Sequence, residues 1–292
     1  MRIDPNVSEW LNLLARWTHV FAGILWVGST YYFTWLDGRF TEQEKAEGKA
    51  GQVWMVHSGG FYVVEKRKGL ELERKLHWFR WEAALTWLSG FFLLVLLYYM
   101  GGGLIDPDVR DKFIKCFNEI GGGSLKNVFD ISAHYEAFAI ILSLGTLVVG
   151  WLVYDLVLHP LLGRNERLFA VVAFALVVVV AYALTGVLSG RAAYIHVGAM
   201  FGTIMVANVW MRILPAQRRM IAALREGKTP DERLAYSAKF RSKQNTFMAV
   251  PVVFTMISNH YPVATYGHEH NWLVLSAMIL LGWLAAYFIR RA

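Results

Sequence analysis

The chain has 292 residues, of which 56% are hydrophobic and only 17% are charged, with a formal net charge of +7. Soluble domains carry charge on about a quarter of their residues, so this composition excludes an ordinary soluble enzyme and a disordered protein. The single Cys116 excludes a disulfide scaffold. Basic cytoplasmic loops explain the positive charge in a membrane protein, so we expect a lipid bilayer and no nucleic acid as partner.

Long apolar runs with polar breaks predict an all-α polytopic membrane helix bundle in a single integral membrane domain, residues 1–292. The seven predicted transmembrane helices are 10–36, 78–100, 132–158, 168–188, 193–214, 245–259 and 272–289. The sixth is short and contains Pro251, so we expect a kink or an unwound turn there. No cleavable signal peptide is evident before the first helix.

The distribution of loop charges predicts the orientation. Lys and Arg cluster in the loops 37–77 and 215–244, whereas 261–271 contains neither. The positive-inside rule then places the N-terminus outside and the C-terminus in the cytoplasm of a bacterial inner membrane. The run 53–65 predicts a short cytoplasmic hairpin around a Ser-Gly-Gly turn. Two G-x-x-x-G spacings, at 186–190 and 198–202, allow helices to approach closely.

Histidines within the apolar segments are the first candidate functional residues. Four of them lie toward the outer ends of four predicted helices: His19, His134, His196 and His260. An ionisable side chain in hydrocarbon is costly and usually faces a partner, a cavity or a cofactor. Neutral imidazole is a common axial ligand of haem iron. We therefore hypothesise that two or more of these histidines bind b-type haem, with Arg16 beside a haem propionate.

Two alternatives stay open for these residues. A single intramembrane histidine is more often a hydrogen-bonded packing residue, and Arg16 could instead extend to the membrane interface. A zinc or copper site would also use histidines, although the sequence has no H-E-x-x-H spacing.

A second polar group lies at the predicted cytoplasmic ends of the helices. It comprises His57 and Glu65 of the hairpin, His77, Arg80 and Glu82 near the start of the second helix, and Asn208, with Trp78, Trp81 and Trp87 nearby. Aromatic rings for stacking and polar groups for the edges suit a flat heterocyclic anion. An aromatic belt with interfacial charges explains the same residues without a ligand. We expect Glu136, Asp155, Arg191 and Asn259, at other helix ends, to be structural or solvated.

Five strings carry a resemblance to a known family. They are RWTHVFAGILWVGSTYYF (16–33), HSGGFYVVEK (57–66), WFRWEAALTWLSGF (78–91), HVGAMFGTIMVANVWMRILPAQ (196–217) and PVVFTMISNHYP (251–262). In this order, over nearly the whole chain, they resemble the membrane domain of the PuuD-type urate hydroxylases, which are membrane-bound urate oxidases.

The resemblance implies a membrane enzyme that oxidises urate to 5-hydroxyisourate in purine catabolism and passes electrons to a C-terminal cytochrome c domain. The chain contains no Cys-x-x-Cys-His motif, so a c-type haem is expected on a further domain or a separate cytochrome c. His57, Glu65, His77 and Glu82 would then be proton acceptors near urate. The alternatives are a haem b electron-transfer subunit without urate chemistry, or a solute transporter.

Overall fold

The computed structural model describes residues 4–48, 51–67, 76–119 and 131–291, and these residues form eight helices and one hairpin. In chain order the elements are α1 (Pro5–Glu47), β1 (Gln52–His57), β2 (Gly60–Glu65), α2 (Trp81–Leu94, continued by a π-helical segment, Val95–Tyr99), α3 (Pro107–Phe117), α4 (Tyr135–Leu152, with Val153–Leu158 π-helical and a last turn, His159–Leu162), α5 (Glu166–Thr185), α6 (Gly190–Ala207, with Asn208–Ile213 π-helical, then Leu214–Arg225), α7 (Glu232–Ile257, followed by a 3₁₀ turn, Ser258–His260) and α8 (Asn271–Ile289).

The chain is an all-α membrane bundle. Five of the described helices are long and apolar enough to cross a membrane: Trp81–Tyr99, Tyr135–Leu162, Glu166–Thr185, Gly190–Arg225 and Asn271–Ile289. Helices α1 and α7 contain the first and sixth predicted segments but are more polar. They pack in the same bundle, where the Tyr31 hydroxyl of α1 donates to the Thr246 carbonyl of α7 at 3.0 Å.

Three helices, α1, α6 and α7, are much longer than the sequence predicts. Helix α1 begins at Pro5, where the Asp4 carboxylate caps the backbone N–H groups of Asn6 and Val7. Helix α7 has 26 residues and continues through Pro251, so the sixth predicted segment is not short. Hydropathy detects the apolar part of a helix and misses charged turns that leave the membrane. Pro251 fits because Gly282 of α8 faces it, and a Cβ there would lie 3.0 Å from the proline ring.

The predicted hairpin forms and packs on α1. Strands β1 and β2 pair antiparallel, with Val53 opposite Val64 and His57 opposite Gly60. The turn residues Ser58 and Gly59 both have positive φ, as a two-residue hairpin turn requires. Val53 packs against Leu36 and Phe40 of α1 in a small apolar cluster.

We name the two ends of the bundle after the predicted orientation. The outer end holds Tyr99, Tyr135, Gly190 and Asn271, and the inner end holds Trp81, Glu166, Arg225 and Ile289. The three π-helical segments lie near these ends. Such segments locally change which side chains face a neighbouring helix, and they are frequent at functional sites.

Helices α6 and α7 approach each other closely at Gly198. A Cβ at Gly198 would collide with the Thr255 hydroxyl of α7, whereas a Cβ at Gly202 would meet nothing within 4 Å. We expect Gly198→Ala to lower the free energy of unfolding by about 1–3 kcal/mol through overpacking and the matched Gly202→Ala to leave it nearly unchanged. Thermal unfolding of the purified variants measures both. Equal changes in the free energy of unfolding for the two variants would contradict a tight contact at Gly198.

Candidate functional site

The buried histidine of the outer end is His196 of α6, whose side chain is fully enclosed. Its Nδ1 lies 2.7 Å from the Ala192 carbonyl and its Nε2 lies 3.0 Å from the Tyr99 hydroxyl. That hydroxyl is in turn 3.2 Å from Ser143 Oγ of α4. The Tyr98 ring packs edge-on against the imidazole at 5.8 Å. We call His196, Tyr98, Tyr99, Ser143 and the neighbouring Arg191 the His196 cluster.

Two guanidinium groups approach this cluster at the outer end. The Arg191 guanidinium lies 5.9 Å from the Tyr98 ring, and its Nε donates to the Asn259 side chain at 2.9 Å. Arg16 of α1 also interacts electrostatically with Tyr98 and donates to the Asn12 side chain at 2.6 Å. The prediction from sequence included Arg16 but treated Arg191 and Asn259 as structural. Both cations therefore interact with Tyr98 at the outer end.

His19 of α1 lies in a different environment, against the middle of α2. Its Nδ1 is 2.9 Å from the Thr86 carbonyl and 3.3 Å from Ser89 Oγ. Its ring occupies the space beside Gly90, where a Cβ would lie 2.7 Å from the imidazole. Thus α2 meets His19 at Thr86–Gly90 and meets His196 near the outer end, at Tyr98 and Tyr99.

The structure does not bring the four outer histidines together. His134 is exposed at the start of α4, and His260 is exposed after α7. Within the described ranges, no three His, Cys, Asp or Glu side chains form a group that could hold a metal ion. The hypothesis that two or more of the four bind haem therefore finds its buried candidates in His19 and His196, and it stays a prediction for His134 and His260.

His19 and His196 fit the chemistry of haem ligands. In both, Nδ1 faces a backbone carbonyl, as it does in metal-ligating histidines, where this bond fixes the tautomer and leaves Nε2 for the metal. Nε2 of His196 has only the Tyr99 hydroxyl as its hydrogen-bond partner in the described structure. These contacts suit haem ligation by His19 and His196, whereas His134 and His260 lie at exposed positions.

At the inner end, the two hairpin candidates are separated. His57 pairs with Gly60 at the turn, and Glu65 pairs with Gln52 at the open end, five positions along the strand, or about 16 Å at 3.3 Å per residue. Ser58 Oγ lies 2.7 Å from His57 Nδ1. Glu65 accepts hydrogen bonds from the Gln52 amide and from Arg67, and these contacts lower the pKa of its carboxyl group. Glu65 is therefore ionised at neutral pH, and both of its carboxylate oxygens accept hydrogen bonds from these two side chains.

The other two inner candidates lie beside α2. The His77 ring packs edge-on against Phe79 at 4.5 Å. Glu82 lies in the first turn of α2, and one of its carboxylate oxygens is buried without a hydrogen-bond partner in the described part of the chain. Next to Glu82, the Trp81 ring packs edge-on against Trp210 of α6 at 5.7 Å. The start of α2 is thereby connected to the inner part of α6.

The most extensive buried polar contacts surround Asp155, for which the sequence predicts a structural or a solvated position. Its side chain is completely buried in the π-helical segment of α4. Arg212 of α6 binds it through two nitrogens, with Nε 3.0 and 3.1 Å from the two oxygens. Arg241 of α7 contributes a third nitrogen at 2.8 Å. One carboxylate therefore joins three helices.

Asn208 extends these contacts. Its oxygen accepts from Arg241 at 2.8 Å, and its nitrogen donates to the Tyr154 hydroxyl and to Asn245, each at 2.9 Å. The Tyr154 hydroxyl donates in turn to Gln244. We call the following seven residues the Asp155 network: Tyr154, Asp155, Asn208, Arg212, Arg241, Gln244 and Asn245.

The Asp155 network has more cations and donors than acceptors. Two guanidinium groups face one carboxylate, which gives a net formal charge of +1. Buried N–H donors in and around it have no hydrogen-bond partner within the described residues: Arg241 Nε, Gln244 Nε2 and Trp210 Nε1. An unpaired buried donor costs about 1–3 kcal/mol. The network therefore combines a net positive charge with donors that lack a partner among the described residues.

Comparison with known proteins agrees with the sequence resemblance. Residues 5–292 match the family model described as "Urate oxidase N-terminal". The chain belongs to the urate oxidase N-terminal family. Membership points to urate-related oxidase activity in a multi-pass membrane protein. No curated protein and no solved structure gives a significant match.

The Asp155 network yields a prediction about stability. Asp155→Asn would leave Arg241 buried without its counter-ion, so we expect a loss of about 3–5 kcal/mol in the free energy of unfolding. Glu166→Gln is the matched control, because its ion pair with Lys243 is exposed and should contribute about 0–1 kcal/mol. Chemical denaturation in detergent compares them. A small effect of Asp155→Asn would mean that Arg241 reaches water.

Proposed function

We propose that this protein oxidises urate to 5-hydroxyisourate in purine catabolism, with urate bound at the Asp155 network and electrons leaving toward the outer end. The observation that supports the binding site is the net positive charge of buried Arg241 and half-exposed Arg212 against one carboxylate, with buried donors that lack a partner among the described residues, in a chain from the urate oxidase N-terminal family. The proposal includes α1 and α7 as two further membrane-spanning helices, an outer N-terminus, and a bacterial inner membrane.

The network suits urate in charge and shape. Urate is a planar monoanion at neutral pH, with carbonyl oxygens around its rings. Its charge would balance the net +1 of Asp155, Arg212 and Arg241. Its oxygens would accept from Arg241 Nε and Gln244 Nε2, which have no partner in the described residues. Trp210, packed on Trp81, offers an aromatic face for the rings.

The reaction requires proton acceptors near this site. Urate and one water give 5-hydroxyisourate, two protons and two electrons. Among the four candidates, Glu82 has the strongest structural support, because its buried, unpartnered carboxylate oxygen lies one residue from Trp81. His77 lies in the segment just before α2, where its ring packs against Phe79. His57 and Glu65 stay predictions from the sequence, and the hairpin contacts of Glu65 give it the least support.

Electron transfer is assigned to the outer end. His196 and His19 would hold b-type haem, which supplies a one-electron carrier when bound. Arg16 and Arg191 would face its propionates. A cytochrome c, as a further domain or a separate protein, would accept the electrons at the outer surface. His134 and His260 stay predicted ligands whose exposed positions would require a rearrangement.

Urate binding is tested at the network. Charge-assisted hydrogen bonds contribute about 1.5–3 kcal/mol, so we expect Arg241→Gln and Arg212→Gln to weaken urate binding by about 10- to 100-fold. Arg218→Gln removes an exposed cation at the same end and should bind urate normally. Equilibrium dialysis with labelled urate measures all three. Unchanged binding in both network variants would place urate elsewhere.

Haem binding is tested by optical spectroscopy of the purified protein. We expect reduced Soret and alpha bands in the parent, their loss or shift in His196→Ala, and no change in the exposed outer variant His268→Ala. A spectrum with haem bands that fails to respond to urate would favour an electron-transfer subunit without urate chemistry. The absence of any chromophore from the parent would favour a transporter.

A further inference from the structure

One face of the hairpin is apolar and is not covered by any of the described residues. The register places Trp54 opposite Val63 and Val56 opposite Phe61 on the side that faces away from α1. Their exposed fractions are 65%, 42%, 72% and 80%. We call these four residues the hairpin face. A soluble hairpin would place polar residues there, so this face indicates a non-aqueous environment.

The contacts with α1 show which way the hairpin points. Gln43, near the end of α1, accepts from the Gly51 backbone at the start of the hairpin. Farther along β1, the Met55 sulfur lies 3.5 Å from the Tyr32 hydroxyl. As β1 proceeds toward the turn, its contacts therefore move back along α1, toward the apolar part of that helix. The turn points toward the bilayer.

Helix α2 gives the depth of the turn. Helices α1 and α2 run antiparallel, and the Phe33 ring lies 5.0 Å from the Phe79 ring, just before the candidate membrane span Trp81–Tyr99 begins. Tyr32 and Met55 are thus level with the start of this span. His57 is two residues beyond Met55, about 7 Å at 3.3 Å per residue. The turn therefore reaches the level of the first turn of α2.

The charges of the hairpin agree with this depth. The segment 53–64 contains no Asp, Glu, Lys or Arg. Charges begin at its open end, where Lys66 pairs with Asp37 of α1 and Arg67 pairs with Glu65. Lys239 of α7 also pairs with Asp37 at 3.2 Å. These ion pairs mark an aqueous level on the far side of the hairpin from its turn.

From these observations we infer that the hairpin face lies in the headgroup and acyl boundary of the inner leaflet, as an interfacial membrane anchor. Trp and Phe are favoured at this boundary because part of each ring contacts hydrocarbon. The basic residues at the open end suit anionic headgroups. The anchor would hold the hairpin at the membrane surface.

The test measures the environment of single nitroxide labels in vesicles of phosphatidylcholine and phosphatidylglycerol. Labels are placed at Val56→Cys and Phe61→Cys in a Cys116→Ser background, since Cys116 is exposed. Glu44→Cys, on the exposed end of α1, is the reference for water, and Leu88→Cys, exposed in the middle of α2, is the reference for lipid. Collision with oxygen and with a water-soluble nickel chelate is measured at each position.

We expect the ratio of oxygen to nickel collision at Val56 and Phe61 to exceed that at Glu44 several-fold and to approach that at Leu88. Nickel collision as frequent as at Glu44 would overturn the proposal, because the face would then be in water. Shielding from both reagents would also overturn it, because another protein surface, such as a second copy of the chain, would then cover the face. Both labelled sites are exposed, so the fold does not depend on them.

Discussion

The interaction on which the inner half of the bundle depends is the contact of Asp155 with two guanidinium groups. Burying one carboxylate and most of Arg241 at the end of a membrane bundle is unfavourable unless every charge is paired. Asp155 meets this requirement by binding Arg212 and Arg241 at once, and Asn208 satisfies a further nitrogen of Arg241. The pairing fixes α4, α6 and α7 relative to one another. The group keeps a net formal charge of +1, carried at Arg212, whose side chain is 44% exposed to solvent, and this net charge is the basis of the proposed urate site.

Helix α6 carries both proposed sites. His196 and Asn208 are twelve residues apart, about 18 Å along the helix axis. The inner site uses the π-helical segment of α6, and the outer site uses the π-helical segment of α2, which presents Tyr98 and Tyr99 to His196. The proposed substrate and the proposed electron carrier would therefore bind at opposite ends of one helix, which α2 contacts at Trp87 and at Tyr99. In this proposal, urate would stay on the basic side while electrons would leave at the opposite face.

The sequence predicts the fold class, the hairpin and most membrane segments because hydropathy and turn chemistry act locally. It identifies His196 as a candidate functional residue because an ionisable imidazole is rare in an apolar run. It misses the role of Asp155, since the partners Arg212 and Arg241 are distant in sequence and Arg241 precedes the apolar part of α7. The sequence signal for this site was the carboxylate of Asp155 near the end of an apolar segment. Only the packing of three helices shows which cations reach it, and only packing shows that His134 and His260 are exposed.

The central claim is that the inner network binds urate while the outer end holds haem. A cryo-electron microscopy map of the purified protein in lipid nanodiscs with saturating urate tests both parts most directly. The account predicts flat density of heterocycle size between Arg241 and Trp210, and macrocycle density in contact with His196 or His19. Density from side chains alone at both positions, or urate seen beside the outer histidines, would contradict it.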